Sequence, residues 1–199
     1  MKTALSTILT ALLLGALLAA PAGAEVPAWS LDTAHSNFFF DVRHIFSSIR
    51  GSFPEYSGSI RFDPANPGAS SVRLEIEVAS VETGVAKRDG HLRSDDFFAA
   101  STYPRMTFAS TAITRTGEQT FDIAGRLTIK DVTREVVLPV VFHPGQDHPM
   151  DPRSLVAGLE GQLTIDRLSY HVGDGKFFRM GVVGREVKIL VSLELLRQK

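Results

Sequence analysis

The chain has 199 residues, 44% of them hydrophobic and 22% charged, with 21 basic and 22 acidic residues for a formal net charge of −1. That composition excludes a disordered or fibrous chain, suits one domain or two small ones, and offers no basic stripe for nucleic acid. The lack of cysteine excludes disulfides, thiolate metal ligands, a cysteine nucleophile and a lipid-modified N-terminal cysteine.

The first element reads as an export signal. Met1–Ala24 carries one charge, Lys2, then the apolar run Ile8–Ala20, Pro21 and the small-residue triplet Ala22-Gly23-Ala24. A basic start, a short apolar stretch and an A-x-A-like site are what a signal peptidase requires. A retained membrane anchor is the alternative, but a run of about 13 residues falls short of the roughly 20 that cross a bilayer. Cleavage after Ala24 is expected. Residues 25–199 would then form the mature domain, in a periplasm or secreted.

From Trp29 onward the dominant pattern is period-2 alternation, the mark of strands with one buried face. Phe38, Phe40 and Val42 open the series, followed by Tyr56, Gly58, Ile60 and Phe62. Val72, Leu74, Ile76 and Val78 alternate with Arg73, Glu75 and Glu77. The long connection Val85–Ala100 is charged at its start, ends in Phe97-Phe98-Ala99-Ala100, and is expected to hold a short helix. Met106 and Phe108 begin the next strand; Phe121, Ile123, Leu127 and Ile129 make another. Val136 to Phe142, Leu159 to Ile165, and Val187 to Leu195 complete eight. Turn residues separate them at Asp63–Gly68, Arg115–Gly117 and Pro144–Asp147, and the Leu168–Val183 connection is rich in glycine.

Eight short antiparallel strands must hide their edges, and closure into a barrel does so completely. The expected fold is therefore all-β: an eight-stranded antiparallel, lipocalin-like barrel with an elongated apolar cavity, a sandwich being the alternative. Such a barrel either packs its interior solid or holds one elongated small ligand.

Trp29-Ser30-Leu31-Asp32-Thr33-Ala34-His35-Ser36, Phe40-Asp41-Val42-Arg43-His44 and Gly51-Ser52-Phe53 resemble the opening of the YceI-like family. The resemblance continues through Arg88-Asp89-Gly90-His91-Leu92-Arg93-Ser94-Asp95-Asp96-Phe97-Phe98 and Tyr103–Phe108. It ends with Gly125–Ile129 and Val183–Ile189. These motifs occur in order across nearly the whole mature chain. The resemblance implies a periplasmic or secreted barrel that encloses a polyisoprenoid or similar long-chain lipid, for transport or storage. One departure is local: Arg167 is followed by Leu168-Ser169-Tyr170 where relatives often carry an aromatic-glycine pair.

A lipid tail needs a wall of large apolar side chains, and aromatic rings supply that surface at low rotamer cost. Phe38, Phe40, Val42, Phe62, Met106 and Phe108 are the tail-contact candidates, with ordinary core packing as the competing explanation. An isoprenoid-quinone or phosphate head would require polar groups at a barrel mouth. Arg43 and His44 end one strand, and Arg88, His91 and Arg93 lie together on the long connection. Arginine forks suit phosphate oxygens, but Arg88 and Asp89 could instead pair with each other or brace the loop. Transient membrane contact for loading is expected, and a homodimer is possible.

No H-E-x-x-H, G-x-S-x-G or P-loop pattern is present. His143, Asp147, His148 and Asp151 could gather a metal but read better as a solvated loop, so neither metal nor cofactor is expected. Asp32, His35 and Ser36 are the residues that an exported hydrolase or protease would use. Near neighbours on one strand face opposite ways, and Asp32 is expected to cap the barrel bottom, with His35 and Ser36 satisfying buried polar groups. The main expectation is a non-enzymatic carrier. A hydrolase is one alternative, and a partner-binding module of an envelope stress or electron-transfer system is another.

Overall fold

A computed structural model describes residues 25–199; the expected export signal at 1–24 lies outside the described residues. Ten strands form: β1 Ala28–Leu31, β2 Asn37–His44, β3 Ser47–Ser52, β4 Tyr56–Arg61, β5 Ser71–Glu77, β6 Arg105–Arg115, β7 Thr120–Ile129, β8 Val132–His148, β9 Asp151–Asp166 and β10 Val183–Gln198. Two short helices are α1, Ala86–Arg93, and α2, Lys176–Arg179. The first falls in the long connection where a helix is expected. The second lies in the Gly-rich connection, where none is. Among the described residues no helix is long and apolar enough to cross a membrane.

The ten strands close as eight staves. β1 and β2 lie along one edge of β10, Ser30 opposite Leu196 and Phe40 opposite Ile189, so they are one stave with a break. β3 and β4 form the next stave, pairing with β2 and β1 respectively. From β4 the sheet runs through β5, β6, β7, β8 and β9 back to β10, every pairing antiparallel. The ring closes through β1 on β10, and the strand edge it leaves among the described residues is the outer side of β3, met at the single Ser52–Glu82 bridge.

Both breaks have local chemical causes. The Asp32 carboxylate accepts from the Ala34 N–H at 2.9 Å, turning the chain out of the ladder. The Ser36 hydroxyl then substitutes for a backbone partner, donating to the Glu194 carbonyl at 3.2 Å and accepting from the Glu194 N–H at 2.9 Å. In the second stave Pro54 cannot donate to a ladder, and β3 ends at Ser52.

Inward residues divide into two clusters along the barrel axis. One end is filled by Trp29, Phe62, Phe121 and Phe142 with surrounding aliphatics. The Phe62 ring meets those of Phe121 at 5.1 Å and Phe142 at 4.7 Å, and the Trp29 indole N–H donates to the Phe62 carbonyl at 3.0 Å. At the other end β5 leaves the wall in a tight turn at Val78–Ser80. There the connection carrying α1 folds across the barrel and contributes Phe97 and Ala100 to the second cluster, beside Met106, Ile129, Ile165, Tyr170 and Val172. The lumen is thus solid at one end and open in its other half.

Candidate functional site

The open half holds a cavity of about 160 Å³. Its wall is hydrocarbon and aromatic, and Thr107 and Arg167 are the polar residues among those lining it. A water needs roughly 10–15 Å³ by this measure, so the space is far larger than a packing defect. Part of its width comes from two glycines. The Phe40 ring lies over Gly51, where a Cβ would come within 2.3 Å of it, and the Phe108 ring lies over Gly125, where a Cβ would come within 2.5 Å. Rings that fold flat over glycine line the wall without crossing the lumen.

A second cavity of about 180 Å³ adjoins the first, sharing Phe40, Val42, Leu92, Phe97 and Val183 with it. It adds the polar groups of His44, Thr83, Arg88 and His91 and the ring of Phe177. Arg88 donates to the Thr83 hydroxyl at 2.7 Å and to the Thr83 carbonyl at 2.8 Å. The buried Asp89 carboxylate accepts from the Thr83 N–H and hydroxyl. His91 sits within 2.9 Å of Asp96, its ring against those of Phe97 and Phe177. Arg88 and Asp89 thus brace the loop through Thr83, while Arg88 also borders the mouth.

Exposed apolar side chains lie on the segments next to the residues that border this mouth. Ile45 and Phe46 form the β2–β3 turn, and the Ile45 N–H donates to the Val182 carbonyl at 3.0 Å, setting that turn beside the α2 segment. Phe46 is 89% exposed, and Val85, Phe178 and Met180 are exposed as well. The Arg185 guanidinium lies 5.7 Å from the Phe178 ring centre.

Of the expected tail contacts, Phe38, Phe40, Val42, Met106 and Phe108 line the inner cavity. Phe62 does not: it is fully buried in the solid end, enclosed by Phe121 and Phe142. Of the expected head-group residues, His44, Arg88 and His91 come together at the mouth. Arg43 turns away from the lumen, its Nε donating to the Ile45 carbonyl at 2.9 Å. Arg93 is used on its own loop, donating to the carbonyls of Ala79 and Val81. The residue that sequence reasoning left without a role is Arg167, 4% exposed and bordering the inner cavity. Its signal in the sequence is a lone arginine closing an apolar strand before a Gly-rich connection.

The remaining polar constellations lie elsewhere. Both hydrogen-bonding faces of the Ser36 hydroxyl are engaged with Glu194 backbone, and His35 turns to Asp32 at 2.9 Å instead. That hydrogen bond, opposed by burial, holds the Asp32 carboxyl below the usual aspartate range. The same bond, then the charges of Asp32 and Glu194, raises His35. Asp32, His35 and Glu194 bring three potential ligand atoms within 4.8 Å of one another on the outer wall. His143, Asp147, His148 and Asp151 do not converge. His143 faces Glu160, Asp147 faces Lys199, and His148 Nδ1 accepts from the N–H groups of Met150 and Asp151.

Comparison with known proteins gives one consistent family. The YceI-like domain model matches residues 29–195. A protein of Azotobacter vinelandii named UPF0312 protein is 33% identical over 197 residues, covering 98% of this chain and all of that one. The crystal structure of Burkholderia cenocepacia BcnA superposes with a TM-score of 0.75 at 28% identity, covering 84% of this chain and 99% of that chain. A polyisoprenoid binding domain from Saccharophagus degradans has the same fold, with a TM-score of 0.61 at 22% identity over 84% of this chain and 97% of that one.

Proposed function

The chain belongs to the YceI-like family, and on that premise we propose that it binds a polyisoprenoid or similar long-chain lipid in its barrel and carries or stores it without catalysis. The observation that carries this reading is the apolar inner cavity, joined through shared wall residues to an outer cavity that His44, Arg88 and His91 border. Support comes also from the related fold of a domain described as polyisoprenoid binding.

Exchange follows from the energetics of the competing state. Each methylene taken from water is worth about 0.8 kcal/mol, enough over a whole tail to approach the practical affinity ceiling of about 20 kcal/mol. A long lipid resides in a bilayer, however, and moving its tail from bilayer to barrel is nearly balanced. The barrel's task is then to screen the tail from water between membranes. The exposed Ile45, Phe46, Phe178 and Met180 around the mouth fit transient contact with a membrane during loading. Export through the Met1–Ala24 signal would place this activity in a periplasm or outside the cell.

The test is solvent extraction of freshly purified protein followed by mass spectrometry, with exchange of the extracted species against liposomes. One apolar species in near-stoichiometric amount, exchanging with vesicles, is expected. Protein that carries no lipid and takes up no prenyl compound from vesicles overturns the proposal.

A further inference from the structure

We propose that Arg167 is the inner anchor of the ligand, taking an anionic oxygen head of a single-chain amphiphile, phosphate or carboxylate, at the boundary of the two cavities. This rests on the lipid-binding reading above and adds the polarity and chemical class of the lipid to it.

The guanidinium is among the few charged groups the fold buries, and its partners are all backbone carbonyls. Nε donates to Gly184 O at 2.8 Å, Nη1 to Val172 O at 2.6 Å and Nη2 to Val183 O at 3.4 Å. Among the described residues no carboxylate lies within 4.0 Å of it: the adjacent Asp166 is taken by Arg185, and Asp174 caps the Lys176 N–H. The exposed Arg50 and Arg105, by contrast, each have carboxylate partners. A buried cation without a counter-ion is unfavourable, because carbonyl dipoles replace only part of its lost hydration. Burial accordingly pulls the Arg167 pKa below the ordinary arginine value, and the charges of Asp166 and Asp174 offset only part of that.

Geometry gives the unspent capacity a direction. An arginine has five N–H donors, and these three bonds leave two. The chain at Val172–Gly173 closes on one side; Gly173 is left-handed at φ +85°, and a Cβ there would come within 2.5 Å of Nη1. On another side stands Phe97, its ring centre 5.8 Å from the guanidinium carbon. Phe97 and Val183 border both cavities, and Arg167 itself lines the inner one. An anionic oxygen there would meet fork-like donors and neutralise the charge, while its tail ran into the hydrocarbon wall. An apolar or alcohol-headed chain would leave the cation only the Asp166 and Asp174 charges beyond 4.0 Å.

The experiment titrates the delipidated mature protein by calorimetry with geranylgeranyl phosphate and with geranylgeraniol, at 0.05 and 0.5 M NaCl. Wild type is expected to bind the phosphate at least tenfold tighter. Most of that ratio should survive high salt, since a buried pair is poorly screened. Arg167→Gln also frees the carbonyls of Val172, Val183 and Gly184, so it is read on the phosphate-to-alcohol ratio alone, which should fall near one. Equal binding of both compounds by wild type overturns the role of Arg167 whether or not the variant folds. A preference that persists in Arg167→Gln, or that vanishes at 0.5 M NaCl as expected of Arg88 and His91 at the mouth, also overturns it. Binding of neither compound overturns the lipid-binding reading itself.

Discussion

Phe62 and Phe108 share the same strand pattern and differ only in depth, so truncating each to alanine separates the solid half of the barrel from the hollow half. Phe62 is 0% exposed, with aromatic partners at 4.7 and 5.1 Å. Phe62→Ala must open a new cavity inside a filled cluster, which for phenylalanine costs about 3–5 kcal/mol. In a chain of this size that lowers Tm by roughly 6–20 °C. Phe108 is only partly buried and already borders the inner cavity. Phe108→Ala widens an existing space, so it forfeits mainly transfer energy, about 1–2 kcal/mol, and a few degrees. Ligand affinity should respond in the opposite sense, falling several-fold in Phe108→Ala and holding near wild type in Phe62→Ala. The assay is thermal unfolding of delipidated protein beside titration with a fluorescent prenyl probe. If Phe108→Ala is the less stable variant, or Phe62→Ala the weaker binder, the division of the lumen described above is wrong.

Three further perturbations address the wall, the breaks and the rim. Gly125→Ala sets a methyl group against the Phe108 ring and the Ala109 carbonyl; the ring must swing into the lumen, and probe binding should fall at least tenfold while overpacking costs about 1–3 kcal/mol. Unchanged affinity would mean that the ring is not what keeps the lumen clear. The Asp32–His35 pair ties pH to stability: raised His35 contributes fully below about pH 6.5 and loses its contribution as pH climbs through the raised value, whereas lowered Asp32 contributes above about pH 4 and fails on acidification. His35→Gln should therefore lower Tm most near pH 5–6 and least near pH 8, the gap shrinking in salt; a gap independent of pH counts against the pairing. Phe46→Ser should slow lipid uptake from vesicles several-fold yet leave the affinity for a soluble prenyl probe intact, and equal uptake rates would remove the rim from the loading step.

Much of the fold is written in alternation. Val72, Leu74 and Ile76 face inward because a strand has period 2, and the same rule assigns His44 to the lumen with Phe38, Phe40 and Val42 and turns Arg43 outward. Arg88 and His91, three apart on α1, share a side that Arg93 does not. Depth is what alternation cannot encode. Phe62 and Phe108 satisfy one pattern, yet one plugs the barrel and the other lines a cavity. Closure of β1 on β10 depends on Ser30 meeting Leu196 across most of the chain length, a pairing no local signal specifies. Arg167 escaped for a related reason: its carbonyl partners come from two ends of a connection whose path the sequence leaves open.

The asymmetry of the lumen bears on how a hollow barrel stays folded while its contents change. Cavity surface loses dispersion contacts outright, so an open half must be offset elsewhere. Here the offset is the Trp29–Phe62–Phe121–Phe142 cluster and the long ladders of β6 to β10. The covering segments add polar attachments to the apolar contacts made by Phe97, Ala100, Tyr170 and Val172. α1 contributes little apolar surface; it is held by Asp89 and Arg88 on Thr83 and by Arg93 on Ala79 and Val81. The segment through α2 is held by Arg167 on Val172, Val183 and Gly184. Point attachments of about 1.5–3 kcal/mol each can part without disturbing a core that lies at the opposite end. Stability and exchange therefore fall to separate parts of one barrel, and the bonds that join them at the mouth are polar.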